Sequence, residues 1–313
     1  MIDTAHFEVK PAVYFRDLLM PMAAFAAAFA WCANASGWPF VVAFAIATIS
    51  IHRAGIFGHE VAHRTGNRRL RAFNRFWNLT VGALILVPSA RFVRPHMIHH
   101  STGKFRTKED PQYLLLRGDR KLSVFVFVFI PPIMPIFASI ITVTAAIGGI
   151  AAEEAVETFL LRRGMPTGSV LPARHKREVM LLSRYYLAFW TLYALMLPAT
   201  LPLMYAIQVA AWYLVTWRIP LEHRMESRLE TSHKRDQVAD SFTVESPFAE
   251  LLQPLALKYH TAHHMFPGVP YHNLPALHAE LKATDPVYRR SVVTIRDIIR
   301  GVPEHARTAD AGG

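Results

Sequence analysis

A single cysteine, Cys32, stands among 313 residues, set inside an apolar stretch. One thiol builds neither an intramolecular disulfide framework nor a thiolate cluster for zinc or iron–sulfur, so its expected role is packing. Acids are scarce too: 23 Asp and Glu face 34 Lys and Arg, a formal charge of +11. Such an excess can signal nucleic acid, but the arginines sit beside apolar spans and no groove-reading motif is present, so no nucleic-acid partner is expected. The chain shows no glycine fingerprint for a flavin or nicotinamide nucleotide and no fused haem domain. Any electrons it uses come from outside. Residues 1–10 lack the basic and apolar regions of a secretory signal, and the expectation is an unprocessed chain.

What is present is apolar surface. The sequence is 52% hydrophobic and 12% aromatic with a mean hydropathy of +0.21, a combination that reads as an all-α integral membrane protein. Spans are expected at about 18–33, 38–57, 180–197 and 201–219, as two hairpins whose connectors, 34–37 and 198–202, carry no Lys or Arg. Between Arg53 and Lys121 fourteen Lys and Arg face only Glu60, Glu109, Asp110 and Asp119, which places this stretch in the cytoplasm. The short apolar run Phe76 to Val87 within it is read as an interfacial helix. The run 122–150 contains Pro131, Pro132 and Pro135 and leads into another basic loop. A re-entrant or interfacial segment is favoured there, with a hairpin of short helices as the alternative. Later, an apolar helix is expected from Phe248 to Tyr259 and an amphipathic one near Pro275 to Lys282. The reading is one domain over 1–305, a cytoplasmic helical cap included, and a disordered tail at 306–313.

Histidine supplies the chemistry. His59 and His63 are spaced i, i+4, while His96, His99 and His100, and again His260, His263 and His264, are spaced i, i+3, i+4. Those spacings share a helix face, so each cluster is expected to point its imidazoles into one small volume. His223, after Glu222 at the end of a span, brings the number on the basic side to nine. Nine rings exceed what one ion uses and suit two, and neutral imidazole suits iron, zinc, copper or nickel. Asp110 and Glu222 are candidate acceptors for imidazole N–H groups. A rival reading exists: His59-Glu60-Val61-Ala62-His63 is a literal HExxH, the pattern of a zinc protease with Glu60 as base, though it leaves seven clustered histidines unexplained. A haem protein would need only two of them. His52 is expected to find a backbone partner, His272 a local hydrogen bond, and His6, His175, His233, His278 and His305 solvent.

The pattern HxxxH, HxxHH, HxxHH, each after a hydrophobic block, resembles the membrane fatty acid desaturases and their hydroxylase relatives. Gly58-His-Glu-Val-Ala-His63, Asp110-Pro111, and the run from His263 through Met265-Phe-Pro-Gly-Val-Pro270 to Pro275 are similar to bacterial desaturase-like proteins, and His223 looks like the extra ligand of alkane-hydroxylase relatives. The resemblance covers about residues 15 to 285. It implies two iron ions bound by His59, His63, His96, His99, His100, His223, His260, His263 and His264, with O2 as co-substrate. It implies a lipid desaturase drawing electrons from a ferredoxin- or rubredoxin-like carrier and its reductase, or a hydroxylase on the same scaffold. The site would lie on the cytoplasmic face of a bacterial inner membrane, with the basic surface around Arg68, Arg69 and Arg71 suited to an acidic carrier.

Overall fold

The computed structural model describes residues 2–107, 109–111, 120–163, 170–224 and 234–301. The tail expected to be disordered, 306–313, lies outside the described residues, as do His233 and His305. Helix α1 (Pro11–Cys32) opens on a proline, whose missing N–H costs nothing in a first turn. It pairs along its length with α2 (Gly37–His63), which carries His59 and His63 at its end. The side chains on the outer faces are large and apolar, such as Met20, Trp38 and Leu195, the surface a lipid environment requires.

Helix α3 (Arg71–Trp77) continues through a π turn at Asn78–Gly82 to Ile85, and then the chain turns by 92° into α4 (Ala90–His99). One asparagine pins this bend. Asn78 donates to Ser89 Oγ at 2.9 Å and to Asn74 Oδ1 at 2.8 Å, and its own Oδ1 accepts the Ser89 N–H at 2.8 Å. Tyr186 Oη adds a bond to the Asn78 carbonyl at 2.9 Å. The run read as an interfacial helix is thus one arm of a bent pair, and the bend carries the second histidine cluster back over the first.

Helix α5 (Arg120–Arg162) is broken at Gly149, where φ is 63° and ψ is −150°, and it packs along both α6 (Ala173–Met196) and α7 (Leu201–Glu222). Residues 124–162 are long and apolar enough for a fifth span beside the four expected. The first part of α5 packs on α7 and the later part on α6. Phe127 meets Trp217, the Val128 carbonyl accepts from Tyr213 Oη at 2.8 Å, and the Pro132 carbonyl accepts from Tyr205 Oη at 2.8 Å, running toward the start of α7. The Ala146 carbonyl then accepts from Arg184 Nε at 3.1 Å, and Glu154 pairs with Lys176 at 3.2 Å, running back toward the start of α6. The turn at 198–200 joins α6 to α7. Helix α5 separates α6 from α7, so the second hairpin is wedged open.

The C-terminal region departs from expectation more. The helix predicted over Phe248 to Tyr259 is only Ala249–Leu252. Pro254 and the left-handed Leu255 (φ 59°) and Ala256 (φ 56°) end it and set the angle of the next helix, α8 (His260–Met265). The amphipathic helix is found as α9 (Leu274–Thr284). A two-residue parallel pairing of Thr243–Val244 with Val292–Val293, invisible to helical periodicity, ties this region down.

Candidate metal centre

The nine clustered histidines form two groups. His59, His63, His96, His100 and His263 make the first, and His99, His223, His260 and His264 the second, each with one ring nitrogen per residue within 4.8 Å of the others. The expectation that each HxxHH triplet fills one volume is corrected here: each is divided. At 100° per residue, positions i and i+4 lie 40° apart, whereas i+3 points 100° away from i+4. Hence His96 and His100 face the first group while His99 faces the second, and His260 and His264 face the second while His263 faces the first. One short helix therefore serves two centres, which adjoin where His100 stacks on His264 with ring centroids 4.3 Å apart.

His223 reaches its place by leaving the helix. Beyond α7 it turns extended (φ −135°, ψ 150°) and bridges Ser241 in antiparallel fashion, which brings Asp240 beside it. The Asp240 carboxylate lies 3.4 Å from His223 Nδ1 and 3.0 Å from Arg106 Nη1. Asp110 stands in the same relation to His99, with Oδ2 3.0 Å from Nδ1 and accepting the Arg106 N–H at 3.0 Å. Glu222 is more distant, 4.0 Å from His260 Nε2, and pairs with Arg218 at 3.4 Å. Asp240 escaped sequence reading because it lies in a charged stretch with no spacing to a histidine. Only the backbone bridge reveals it.

Whether this set fits a metal can be judged from its donors. A carboxylate only accepts, so His99, bonded to Asp110, carries a proton on Nδ1 and presents a lone pair at Nε2, and the Asp240 carboxylate near Nδ1 of His223 favours the same tautomer there electrostatically. Those two Nε2 atoms face each other at 3.1 Å. Two lone pairs at that separation repel unless a cation lies between them. Further Nε2 pairs stand at 2.8 Å (His223 and His260), 3.1 Å (His260 and His264) and 2.6 Å (His63 and His96). Nitrogens each about 2.1 Å from one ion and at right angles would be about 3.0 Å apart. In the first group, Nε2 of His59, His100 and His263 is buried with no hydrogen-bond partner. Burial foremost, and then neighbouring rings, pushes His223, His260, His263 and His264 well below the ordinary histidine range, which keeps them neutral as ligands must be. The donor set fits metal.

Glu60 does not behave as a protease base. Buried at 4% exposure, it accepts from Tyr14 Oη and from Arg64 Nε at 3.1 Å, while Arg64 Nη1 donates to the Gly268 carbonyl at 2.7 Å. This network ties α1 and α2 to the turn after α8. The single histidines sort as follows. His52 bonds the Leu252 carbonyl at 3.2 Å and His272 bonds Asn273 Oδ1 at 2.9 Å, as expected. His278, expected in solvent, is buried between Tyr288 Oη at 2.6 Å and Glu245 at 2.9 Å; His6 pairs with Glu280 at 2.7 Å and His175 lies 3.7 Å from Glu178. Glu178 is one helical turn from His175, but Glu280 for His6 and Glu245 for His278 lie on distant segments that no local pattern links.

Beside the first group lies a cavity of about 280 Å³, walled by Ile51, Ile85, Phe92, Trp212 and Val215 and reached by His59 and His96. An apolar hollow meeting a histidine-lined centre is the arrangement a hydrocarbon substrate needs.

Comparison with known proteins agrees with this geometry. A protein named ceramide hydroxylase, from Caulobacter vibrioides (strain NA1000 / CB15N), is 27% identical over 297 residues, covering 90% of this chain and 84% of its own length. The family model described as fatty acid desaturase matches residues 36–296, which takes in every clustered histidine and all but the first helix of the membrane part. The chain is a member of the fatty acid desaturase family.

Proposed function

We propose that the protein oxidises an unactivated C–H bond of a membrane lipid, using O2 and two iron ions held by the two imidazole groups. His59, His63, His96, His100 and His263 hold one ion, and His99, His223, His260 and His264 the other. The observation that carries the reading is the division of nine buried imidazoles into two facing groups beside an apolar cavity. Bound iron supplies the O2 chemistry. The chain's own residues do the rest: Asp110 fixes the proton on Nδ1 of His99, Asp240 places a negative charge beside Nδ1 of His223, and the walls of the cavity hold the hydrocarbon and exclude water.

Hydroxylation is the outcome we favour, because the Caulobacter relative, aligned over most of both chains, is named for that reaction on a ceramide. One oxygen atom would enter the substrate and the other leave as water, with two electrons and two protons from outside. Desaturation, for which the family is named, is the second reading. It removes two hydrogens and releases both oxygens as water. The electrons would come from a ferredoxin- or rubredoxin-like carrier docking near the exposed Arg68, Arg69 and Arg71. The excess of basic residues on the histidine side supports a cytoplasmic site, in a bacterial inner membrane.

The test is expression in a host with a compatible carrier and mass spectrometry of its lipids. A gain of one oxygen marks hydroxylation, and a loss of two hydrogens marks desaturation. His99→Ala or His263→Ala should remove turnover and lower bound iron. Normal activity in either variant would refute the assignment.

A further inference from the structure

The cavity beside the first histidine group is lined by a few polar side chains, and several are already engaged. Arg91 is held by Glu153 through two hydrogen bonds of 2.7 and 2.9 Å. Gln208 donates to the Leu84 carbonyl at 2.6 Å. Two others have capacity left. Arg218 is 9% exposed, and its ion pair with Glu222, Nε to Oε1 at 3.4 Å, leaves Nη1 buried without a hydrogen-bond partner. His52 is 2% exposed; its Nε2 meets the Leu252 carbonyl at 3.2 Å, and its Nδ1 is buried without a partner. Both residues line the cavity together with His59 and His96.

Their roles follow from elementary chemistry. A carbonyl only accepts, so His52 Nε2 bears the proton and Nδ1 of the neutral ring offers a lone pair. Arginine only donates. Leaving a buried donor and a buried acceptor empty is costly, and a ligand that supplies the complement of each removes that cost. We infer that Arg218 and His52 form a specificity site for a lipid group that both accepts and donates a hydrogen bond, a hydroxyl or a secondary amide. The inference rests on the lipid-oxidation reading above and narrows its substrate class. A free carboxylate fits badly, because Glu222 already offsets the Arg218 charge and a second anion would meet the His52 lone pair. An ordinary ester offers acceptors alone. Since the same cavity is lined by His59 and His96, the carbon oxidised is one close to that polar group rather than far along the chain.

The test is equilibrium binding to purified iron-free protein in detergent, with matched C16 probes: N-palmitoylethanolamine, its O-methyl ether, 2-hydroxyethyl palmitate, methyl palmitate and palmitate. Probes bearing a hydroxyl or an amide N–H should bind about tenfold or more tighter than methyl palmitate and palmitate. The ether and the hydroxy-ester show which of the two groups is read. Arg218→Met and His52→Phe should each abolish the preference, whereas His52→Gln, which restores an acceptor, should keep it. Equal binding of all five probes, tightest binding of palmitate, or a preference that survives both variants would overturn the inference. Should a variant fail to fold, the probe series on the unaltered protein decides. Iron content and O2 consumption of the loaded protein report separately on the metal reading, so a chain that discriminates among probes yet binds no iron would refute only the latter.

Discussion

Asp110 is gripped from two sides, by His99 Nδ1 and by the Arg106 N–H, so its carboxylate orients the ring without touching a metal. Asp110→Ala should therefore weaken iron affinity about 10- to 100-fold with every imidazole still present, as read by metal titration. Unchanged affinity would show the contact to be incidental. Protonation acts on the same rings. Burial holds His223, His260, His263 and His264 well below the unfolded histidine value of about 6.5. As pH falls through that value the unfolded chain gains protons that the folded rings refuse, so stability present above it is lost below it. Thermal melts of iron-free protein from about pH 8 to about pH 5 should show a falling midpoint, as stability drops by up to about 1.4 kcal/mol per pH unit for each ring that stays neutral. A flat profile would contradict the burial of these rings. Ligand-type residues were legible at this scale because HxxHH is a local pattern. Asp240 was not, because its partner lies across a backbone bridge.

The 92° bend between α3 and α4 is the element on which the double centre turns. Asn78 is 3% exposed and Ser89 1%, so Asn78→Leu strands the Ser89 N–H away from water and removes the donor shared by Ser89 Oγ and Asn74 Oδ1. Each buried group left unpaired costs about 1–3 kcal/mol. The expected result is a lower melting temperature together with a loss of iron, since His96, His99 and His100 depend on the bend to meet α2. Retention of full iron content would mean that the bend is held by other contacts. Hydropathy marked the apolar run at 76–87 but carries no information on a bend made by one buried amide. Likewise, Pro254 signalled a helix end, but the left-handed turn at Leu255 and Ala256 depends on packing beneath it.

At the scale of the whole molecule, the path of α5 decides which termini share a side. With Cys32→Ser as background, single cysteines at Thr65 and Arg163 should both react with a membrane-impermeant maleimide from one face, and a cysteine at Ser36 from the other. All three positions are exposed. Labelling of Arg163→Cys from the Ser36 face would make α5 a full crossing. The charge rule favours a return on counts of arginine alone, whereas residues 124–162 are long and apolar enough to cross, and the labelling decides between the two.

By itself the sequence determined the lipid-facing composition, the four long spans and the identity of the clustered imidazoles, because each of these is written in runs or spacings of a few residues. Tertiary structure decided how the nine rings divide, which carboxylates orient them and which polar groups stay open in the cavity. Those depend on the 100° splay within a helix turn, on the bend at Asn78 and Ser89 and on the His223–Ser241 bridge, which bring together rings as distant in sequence as His99 and His223, and no local pattern records such meetings.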